Sequence, residues 1–310
     1  MKPKIFIDGE HGTTGLQIRT RLAGRDDIEV ISVPAERRKE AAARAEFLNA
    51  ADIAILCLPD DAARESVSLI ENETTRVIDA STAHRVAEGW VYGFAEMDRD
   101  QGEAIAAARR VANPGCWPQG PIAVLRPLIA AGLLPADYPV TMHGISGYTG
   151  GGRSMVDDYV ARGHEAPEFL LYGLTFQHKH VPELREYSGL ARDPLMQPAV
   201  GNFAQGMVTS VPLHLDALAR VPTGAELHAA IADHYAGIRD SAVEVAPYEA
   251  IERTPQLNPE ALNDTNRMRL HVFANDRRRQ AALVAVYDNL GKGASGAAVQ
   301  NLDLMLGLEG

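Results

Sequence analysis

The stretch Lys4-Ile-Phe-Ile-Asp8-Gly9-Glu10-His11-Gly12-Thr13-Thr14-Gly15-Leu16-Gln-Ile18-Arg-Thr-Arg-Leu22 decides the fold. Lys4–Asp8 is a short apolar run that ends at a glycine, as a buried strand does. From Thr13 to Leu22 the apolar residues Leu16, Ile18 and Leu22 fall at helical spacing. Between the two lie Gly9, Gly12 and Gly15, spaced GxxGxxG rather than the commoner GxGxxG. Glycines let a backbone approach a pyrophosphate, and the N-terminus of the following helix aims unpaired N–H groups at the anion. Thr13 and Thr14 add hydroxyl donors. A tight turn of purely structural meaning is the alternative, but the position between a first strand and a first helix favours dinucleotide binding.

Outward from this unit, strand and helix keep alternating. Ile28–Val33 reads as a second strand and Lys39–Asn49, rich in Ala and Glu, as a helix. Asp52–Leu58 is an uninterrupted apolar run of the kind buried on both faces of a parallel sheet. Asp60–Ile70 reads as helix and Arg76–Asp79 as strand, so right-handed βαβ units in a doubly wound sheet are expected. Beyond a helix over Cys116–Ala131 come Val140–Ile145, Phe203–Leu213, Met268–Phe273 and Ala281–Tyr287, read as strands without regular intervening helices. Tyr148–Ser154 (YTGGGRS) reads as a flexible glycine-rich loop, and Gly293–Leu308 regains helical spacing. The expected architecture is an α/β Rossmann-like dinucleotide-binding domain, residues 1–114 with 289–310, plus an α+β catalytic domain, residues 115–288, with a largely antiparallel or mixed sheet.

Composition bounds the function. At 310 residues about two domains are expected, and a formal charge of -11 disfavours nucleic acid or an acidic membrane as partner. No apolar run of about 18 residues predicts a membrane span, and the N-terminus shows no signal-peptide pattern. Two cysteines, Cys57 and Cys116, cannot make a disulfide framework, and a reducing cytoplasm fits best.

Three further sites carry chemistry. The second strand ends Ile31-Ser32-Val-Pro34 with no acid at its tip, and Arg37 and Arg38 follow, so a 2′-phosphate held by these arginines with Ser32 is favoured over a ribose 2′-hydroxyl. In Asn113-Pro-Gly-Cys116 a turn delivers a cysteine to a helix N-terminus, where the dipole stabilises a thiolate. Cys57, inside the apolar strand, reads instead as a small buried hydrophobe. In His178-Lys-His180-Val-Pro-Glu183 one histidine is a candidate acid–base partner. A zinc site is the other use of such a pair, but no further Cys/His cluster supports it, and no metal is expected. A nicotinamide site, an activated cysteine and a histidine together define thioester chemistry: a thiolate displaces phosphate from an acyl phosphate, and hydride transfer yields an aldehyde.

These motifs resemble those of the N-acetyl-γ-glutamyl-phosphate reductases, in the shorter of two subclasses, a family grouped with aspartate-semialdehyde and glyceraldehyde-3-phosphate dehydrogenases. The resemblance spans nearly the whole chain. Gly9–Gly15 looks like the GxxGxTG cofactor loop, with Glu10 and His11 in place of the usual small residues. Asn113–Cys116 is similar to the NPGC nucleophile turn, His178–Glu183 to HxHxPE, Ser146–Arg153 to SGxxGxGR, and Asp288–Gly296 to DNLxKGAxG. The resemblance implies Cys116 as nucleophile, His180 slightly ahead of His178 as acid–base, with His178 then a substrate-binding residue, and a cofactor role for Asn289 in the helix entry beside the nicotinamide. Ser81-Thr-Ala-His-Arg85 is similar to the phosphate-binding SxxxR stretch, making Arg85 the candidate for the acyl phosphate, with Arg153 a weaker candidate for substrate. It also implies NADPH as cofactor and a homodimer or homotetramer. The alternatives are a semialdehyde dehydrogenase acting on an aspartyl, aminoadipyl or carrier-linked acyl group, a non-catalytic dinucleotide sensor, and a structural protein, which the glycine loop and the NPGC turn disfavour.

Overall fold

Alternate residues of β1 (Lys4–Asp8) face opposite sides of a parallel sheet, and each side has its own core. The computed structural model describes residues 2–37, 40–248 and 256–308. The chain divides into two units, the first comprising residues 1–95, 100–115 and 294–310. After β1 come α1 (Thr13–Leu22), β2 (Glu29–Ile31), α2 (Ala41–Ala50), β3 (Ile53–Leu56), α3 (Asp60–Ser68), β4 (Arg76–Asp79), β5 (Val91–Tyr92), α4 (Gln101–Ala107) and β6 (Arg110–Ala112). The strands line up as β2-β1-β3-β4-β6-β5, all parallel, with Ile5 opposite Ile53 and Ile55 opposite Ile78. On one face Ile5, Ile7, Ile53 and Ile55 pack against Ile18 and Leu22 of α1 and against Ala298, Leu302 and Met305 of the C-terminal helix. On the other, Phe6, Ala54 and Leu56 meet Leu48 of α2 and Ala63 of α3. Burial on both faces explains why β3 is apolar at every position.

The second unit comprises residues 96–99 and 116–293. Its elements are α5 (Cys116–Ala130), β7 (Thr141–Gly147), α6 (Gly152–Arg162), β8 (Phe169–Leu171), α7 (Val181–Ser188), β9 (Leu195–Gly201), β10 (Met207–His214), α8 (Gly224–Ala236), β11 (Val243–Val245), β12 (Met268–Asn275) and β13 (Gln280–Tyr287). A π-helical turn, Gly291–Ser295, then leads into α9 (Gly296–Leu306), the C-terminal helix of the first unit. The seven-stranded sheet runs β11-β12-β13-β10-β7-β9-β8 and is mixed: β7/β9 and β11/β12 are parallel, the other pairs antiparallel. Helices α5 and α8 pack on it, burying Ile122, Leu125 and Leu128 of α5 and Leu227 and Ile231 of α8.

The structure departs from three expectations. The strands of the second unit are not free of intervening helices, since α6, α7 and α8 lie between them. Tyr148–Ser154 is not a loop throughout: a 3-10 turn over Tyr148–Gly151 runs directly into α6 at Gly152. The strand expected from Phe203 starts only at Met207, because residues 202–206 form a turn held by Gly206 N–H donating to the Asn289 side chain at 2.8 Å.

Candidate active site

Helix α5 carries the nucleophile candidate, and its first turn is built unusually. Cys116 is its first residue. The carbonyl of Cys116 would ordinarily accept from the N–H of Gly120, four residues on. Instead the hydroxyl of Tyr287 stands between them, accepting from Gly120 N at 3.3 Å and donating to Cys116 O at 2.7 Å. The Tyr287 side chain is fully buried, and burial first, then the charge of the neighbouring Cys116, push its phenol well above the ordinary value. Further along, Pro127 has no N–H for Ala123 O, and Tyr235 donates to that carbonyl at 2.9 Å. Two tyrosines thus satisfy helix carbonyls where the ladder is interrupted. Gly293 approaches from another side, close enough that an added Cβ would lie 3.0 Å from Cys116 Cβ.

Beside α5 a line of side chains leads away from the sulfur. Tyr172, just after β8, packs edge-on to Trp117 with ring centroids 6.4 Å apart, and its hydroxyl is hydrogen-bonded to the indole. Burial, then the charge of Cys116, raise the Tyr172 phenol. The Tyr172 ring lies 5.9 Å from His178, and His178 lies 4.7 Å from His180. The backbone N–H of His180 donates to His178 Nδ1 at 3.2 Å, so in the neutral ring the proton sits on Nε2. His180 is buried at the start of α7, with Nε2 4.0 Å from Glu183 Oε1, whose carboxylate is also buried. The structure therefore brings Cys116, Tyr172, His178, His180 and Glu183 together in the second unit. Tyr172 was not singled out from the sequence; it lies in no glycine turn or His-x-His pattern.

Other candidates fall elsewhere. Arg153 lies on α6, 73% exposed and paired with Asp157 at 2.9 Å, the arrangement of an ordinary surface ion pair. Asn289 is buried with both ends of its amide engaged: Oδ1 accepts from Gly206 N, and Nδ2 donates to Thr149 Oγ1 at 3.0 Å. It ties the turn after β9 to the turn after β7.

In the first unit, Asn113 is buried and clamped. Its N–H donates to Asp79 O at 2.8 Å, its carbonyl accepts from Arg85 Nε at 3.1 Å, and its Nδ2 donates to Ala294 O at 3.0 Å. Arg85 is buried too, and its Nη2 donates to Ala80 O at 3.2 Å. The next-door His84 binds Asp79 through Nδ1 at 2.6 Å and stacks on Trp90.

The glycine loop fits a dinucleotide. Gly9 has φ +90°, and a Cβ there would collide with Cys57 O at 2.4 Å. Helix α1 starts at Thr13 behind an extended Gly12 with no side-chain cap, so the first N–H groups stay available to an anion. Ser32 sits at the tip of β2 and donates to Glu10 at 3.0 Å. Arg37 is engaged by Glu40 and Glu46 at 3.3 Å each. Arg38 lies outside the described residues. Cys57 is half-buried just past β3, and burial pushes its thiol far up, the opposite of activation. Among the described residues no group of three or more His, Cys, Asp or Glu is placed to hold a metal, and no helix is long and apolar enough to cross a membrane.

Residues 4–105 match the semialdehyde dehydrogenase NAD-binding domain, and residues 116–289 the semialdehyde dehydrogenase dimerisation domain. The chain is 76% identical over 308 residues to the N-acetyl-gamma-glutamyl-phosphate reductase of Mesorhizobium japonicum, covering 99% of this chain and 100% of that protein. The reductase of Brucella ovis is 56% identical over 313 residues, again 99% and 100% of the two chains. Among solved structures, aspartate semialdehyde dehydrogenase II of Vibrio cholerae, complexed with ASA, superposes with a TM-score of 0.72 at 13% identity, over 99% of this chain and 98% of that one. That of Candida albicans with NADP gives 0.67 at 13%, over 98% of each. At such identities these structures speak to the fold, whereas the relatives with full-length coverage place the chain: it belongs to the N-acetyl-gamma-glutamyl-phosphate reductase family of semialdehyde dehydrogenases.

Proposed function

We propose that the chain catalyses NADPH-dependent reduction of N-acetyl-L-glutamyl 5-phosphate to N-acetyl-L-glutamate 5-semialdehyde and phosphate, a step of arginine biosynthesis in the cytoplasm. The observation that carries the reading is Cys116 at the start of α5, with the Tyr172–His178–His180 line beside it, in a chain so similar to named reductases. The helix N-terminus favours Cys116 as thiolate. Its sulfur attacks the acyl carbon, the carbon–oxygen bond to phosphate breaks, and phosphate leaves with the electron pair. The result is a thioester on Cys116. NADPH, when bound, supplies the hydride that reduces the thioester carbon. His178 Nε2–H, its tautomer set by the His180 N–H, donates a hydrogen bond to the oxygen that gains the electron pair and stabilises its charge. The oxygen's electron pair then re-forms the carbonyl as the carbon–sulfur bond breaks, the aldehyde leaves and the thiolate is restored. The one proton consumed overall ends on phosphate. His180 and Glu183 stand behind His178 as the orienting pair, the reverse of the ranking that the motif alone implies.

Arg85 is assigned to the acyl phosphate, and Gly9, Gly12, Thr13, Thr14, Gly15 and Ser32 to the cofactor, with Asn289 supporting through the turns it ties. Arg37 and Arg38 remain candidates for the 2′-phosphate. A homodimer or homotetramer is supported by β8 and the turn after it, where Phe169, Leu170, Leu171, Leu174 and Phe176 are all exposed in the dimerisation domain. The test is the phosphate-dependent reverse assay on N-acetyl-glutamate semialdehyde, aspartate semialdehyde and glyceraldehyde 3-phosphate side by side. The first should be preferred, and Cys116→Ser should fold but lose several orders of magnitude in rate. A Cys116→Ser enzyme that keeps near-normal turnover, or a preference for another aldehyde, removes the reading.

A further inference from the structure

The tip of β2 lacks an acid of its own, yet the structure places one there from a different element. Glu10, the second residue of the glycine loop, turns its carboxylate toward the strand end. Its Oε2 accepts from Ser32 Oγ at 3.0 Å and from Arg19 Nη1, on α1, at 2.5 Å. His11 Nε2 lies 3.7 Å from Oε1, and the Glu10 side chain is only 12% exposed. In a strand–glycine loop–helix unit the end of β2 receives the 2′ position of the adenosine ribose, where an acid holds a hydroxyl and a cation holds a phosphate. Here acid and cation are both present, bonded to each other.

We infer that the Glu10 carboxylate is a placeholder for the 2′-phosphate of the cofactor. Arg19 and Ser32 take the phosphate when it binds, and Glu10 gives them up. This rests on the reading of the first unit as an NADP(H) site. A guanidinium that exchanges one anion for another stays paired throughout, so the exchange does not strand a charge. The displaced carboxylate then faces a phosphate of like sign, which opposes binding. An unphosphorylated ribose makes no such demand, because its 2′-hydroxyl can donate to Glu10 while Arg19 stays in place. Glu10 is thus a specificity-determining residue that holds down the preference for the phosphorylated cofactor, and Arg19 supplies positive charge at the end of β2.

The full-length chain is titrated by calorimetry, at one ionic strength, with adenosine 2′,5′-bisphosphate, AMP, NADPH and NADH. Glu10→Gln keeps the shape and removes the charge, and should tighten the bisphosphate about threefold or more while AMP stays within about twofold. Arg19→Gln should weaken the bisphosphate about tenfold, again sparing AMP. AMP also reports on folding, since a misfolded variant loses both ligands, and the other variant then decides alone. An unchanged or weaker bisphosphate with Glu10→Gln, or an unchanged one with Arg19→Gln, overturns the placeholder role. Wild-type protein that binds neither NADPH nor NADH overturns the cofactor reading and the placeholder with it.

Discussion

Replacing Lys292 with Met would remove the counter-charge of a carboxylate buried deep in the second unit. The Lys292 ammonium is 0% exposed and lies 2.5 Å from Glu96 Oε2, itself 2% exposed. Glu96 Oε1 accepts from the backbone N–H of Ala242 at 3.1 Å, and the Lys292 carbonyl accepts from Gln119 of α5 at 2.7 Å. Burial pulls the Lys292 pKa below its ordinary value although Glu96 favours the charged form, so the ammonium depends on its partner. Met fills nearly the same volume, so the loss is electrostatic rather than a cavity. Breaking one side of such a pair costs about 3–5 kcal/mol, and for units of this size each kcal/mol moves the melting temperature by about 2–4 °C. Adding Glu96→Gln to Lys292→Met keeps an acceptor for Ala242 and removes the stranded charge, so the double variant should regain at least about half of the loss. Trp117 fluorescence in a Trp90→Phe background reports unfolding of this unit alone, in urea. Single losses under about 1 kcal/mol, or losses that add without coupling, would falsify the claim that the pair is mutually dependent.

Three other outcomes are expected. Arg85→Lys keeps the charge but loses the planar fork that reaches Asn113 O and Ala80 O; kcat/KM for the acyl phosphate should fall about tenfold or more while the Kd of NADPH hardly changes, and the opposite pattern would move Arg85 to the cofactor. Tyr287→Phe should cost about 1–2 kcal/mol and speed hydrogen exchange at the Gly120 amide, whereas unchanged exchange would mean that α5 simply closes its own bond. His234 and His271 are both held below the ordinary value of 6.5, chiefly by burial, so the unfolded chain takes up protons first as pH falls. Their stabilising effect is complete above 6.5 and is lost as pH drops toward the folded values; the urea midpoint should fall across that window, and His271→Gln should flatten part of the slope.

Much of the first unit was legible because its signals are local. Lys4–Asp8, Thr13–Leu22 and Arg76–Asp79 begin and end where the apolar periodicity and the glycine punctuation say they do. The second unit was harder for physical reasons. Helices α6 and α7 are short and polar, with one and four buried residues respectively, so neither shows a wide apolar stripe. In α6 a glycine-rich entry also argued against helix, yet Gly152 at φ +75° is the hinge at which the 3-10 turn becomes α6. Strand β9 carries Pro198, which lowers its strand signal.

The site divides along the same line. Cys116, the histidine pair and the glycine loop stand out in the sequence as candidates because each sits in or beside a turn that sets it apart from a core segment. The groups that condition them were not, because their roles depend on which partner the fold brings near. Tyr287 ends an apolar strand like many a core tyrosine, and only its position between Cys116 O and Gly120 N gives its hydroxyl a task. Lys292 and Glu96 are 196 residues apart in sequence. Glu10 reads as a departure from the small residues usual in a cofactor loop, and becomes meaningful only beside Ser32 and Arg19. These four act on neighbours through a hydrogen bond or a charge within about 3 Å, and such an interaction leaves no periodicity in sequence. Substitutions at Cys116 and His178 should accordingly strike the rate itself. Substitutions at Tyr287, Lys292, Glu96 and Glu10 should change stability or cofactor preference while leaving the order of chemical steps as it was. A Tyr287→Phe enzyme that accumulates thioester, although its unfolding is unchanged, would break that division and move Tyr287 into the chemistry.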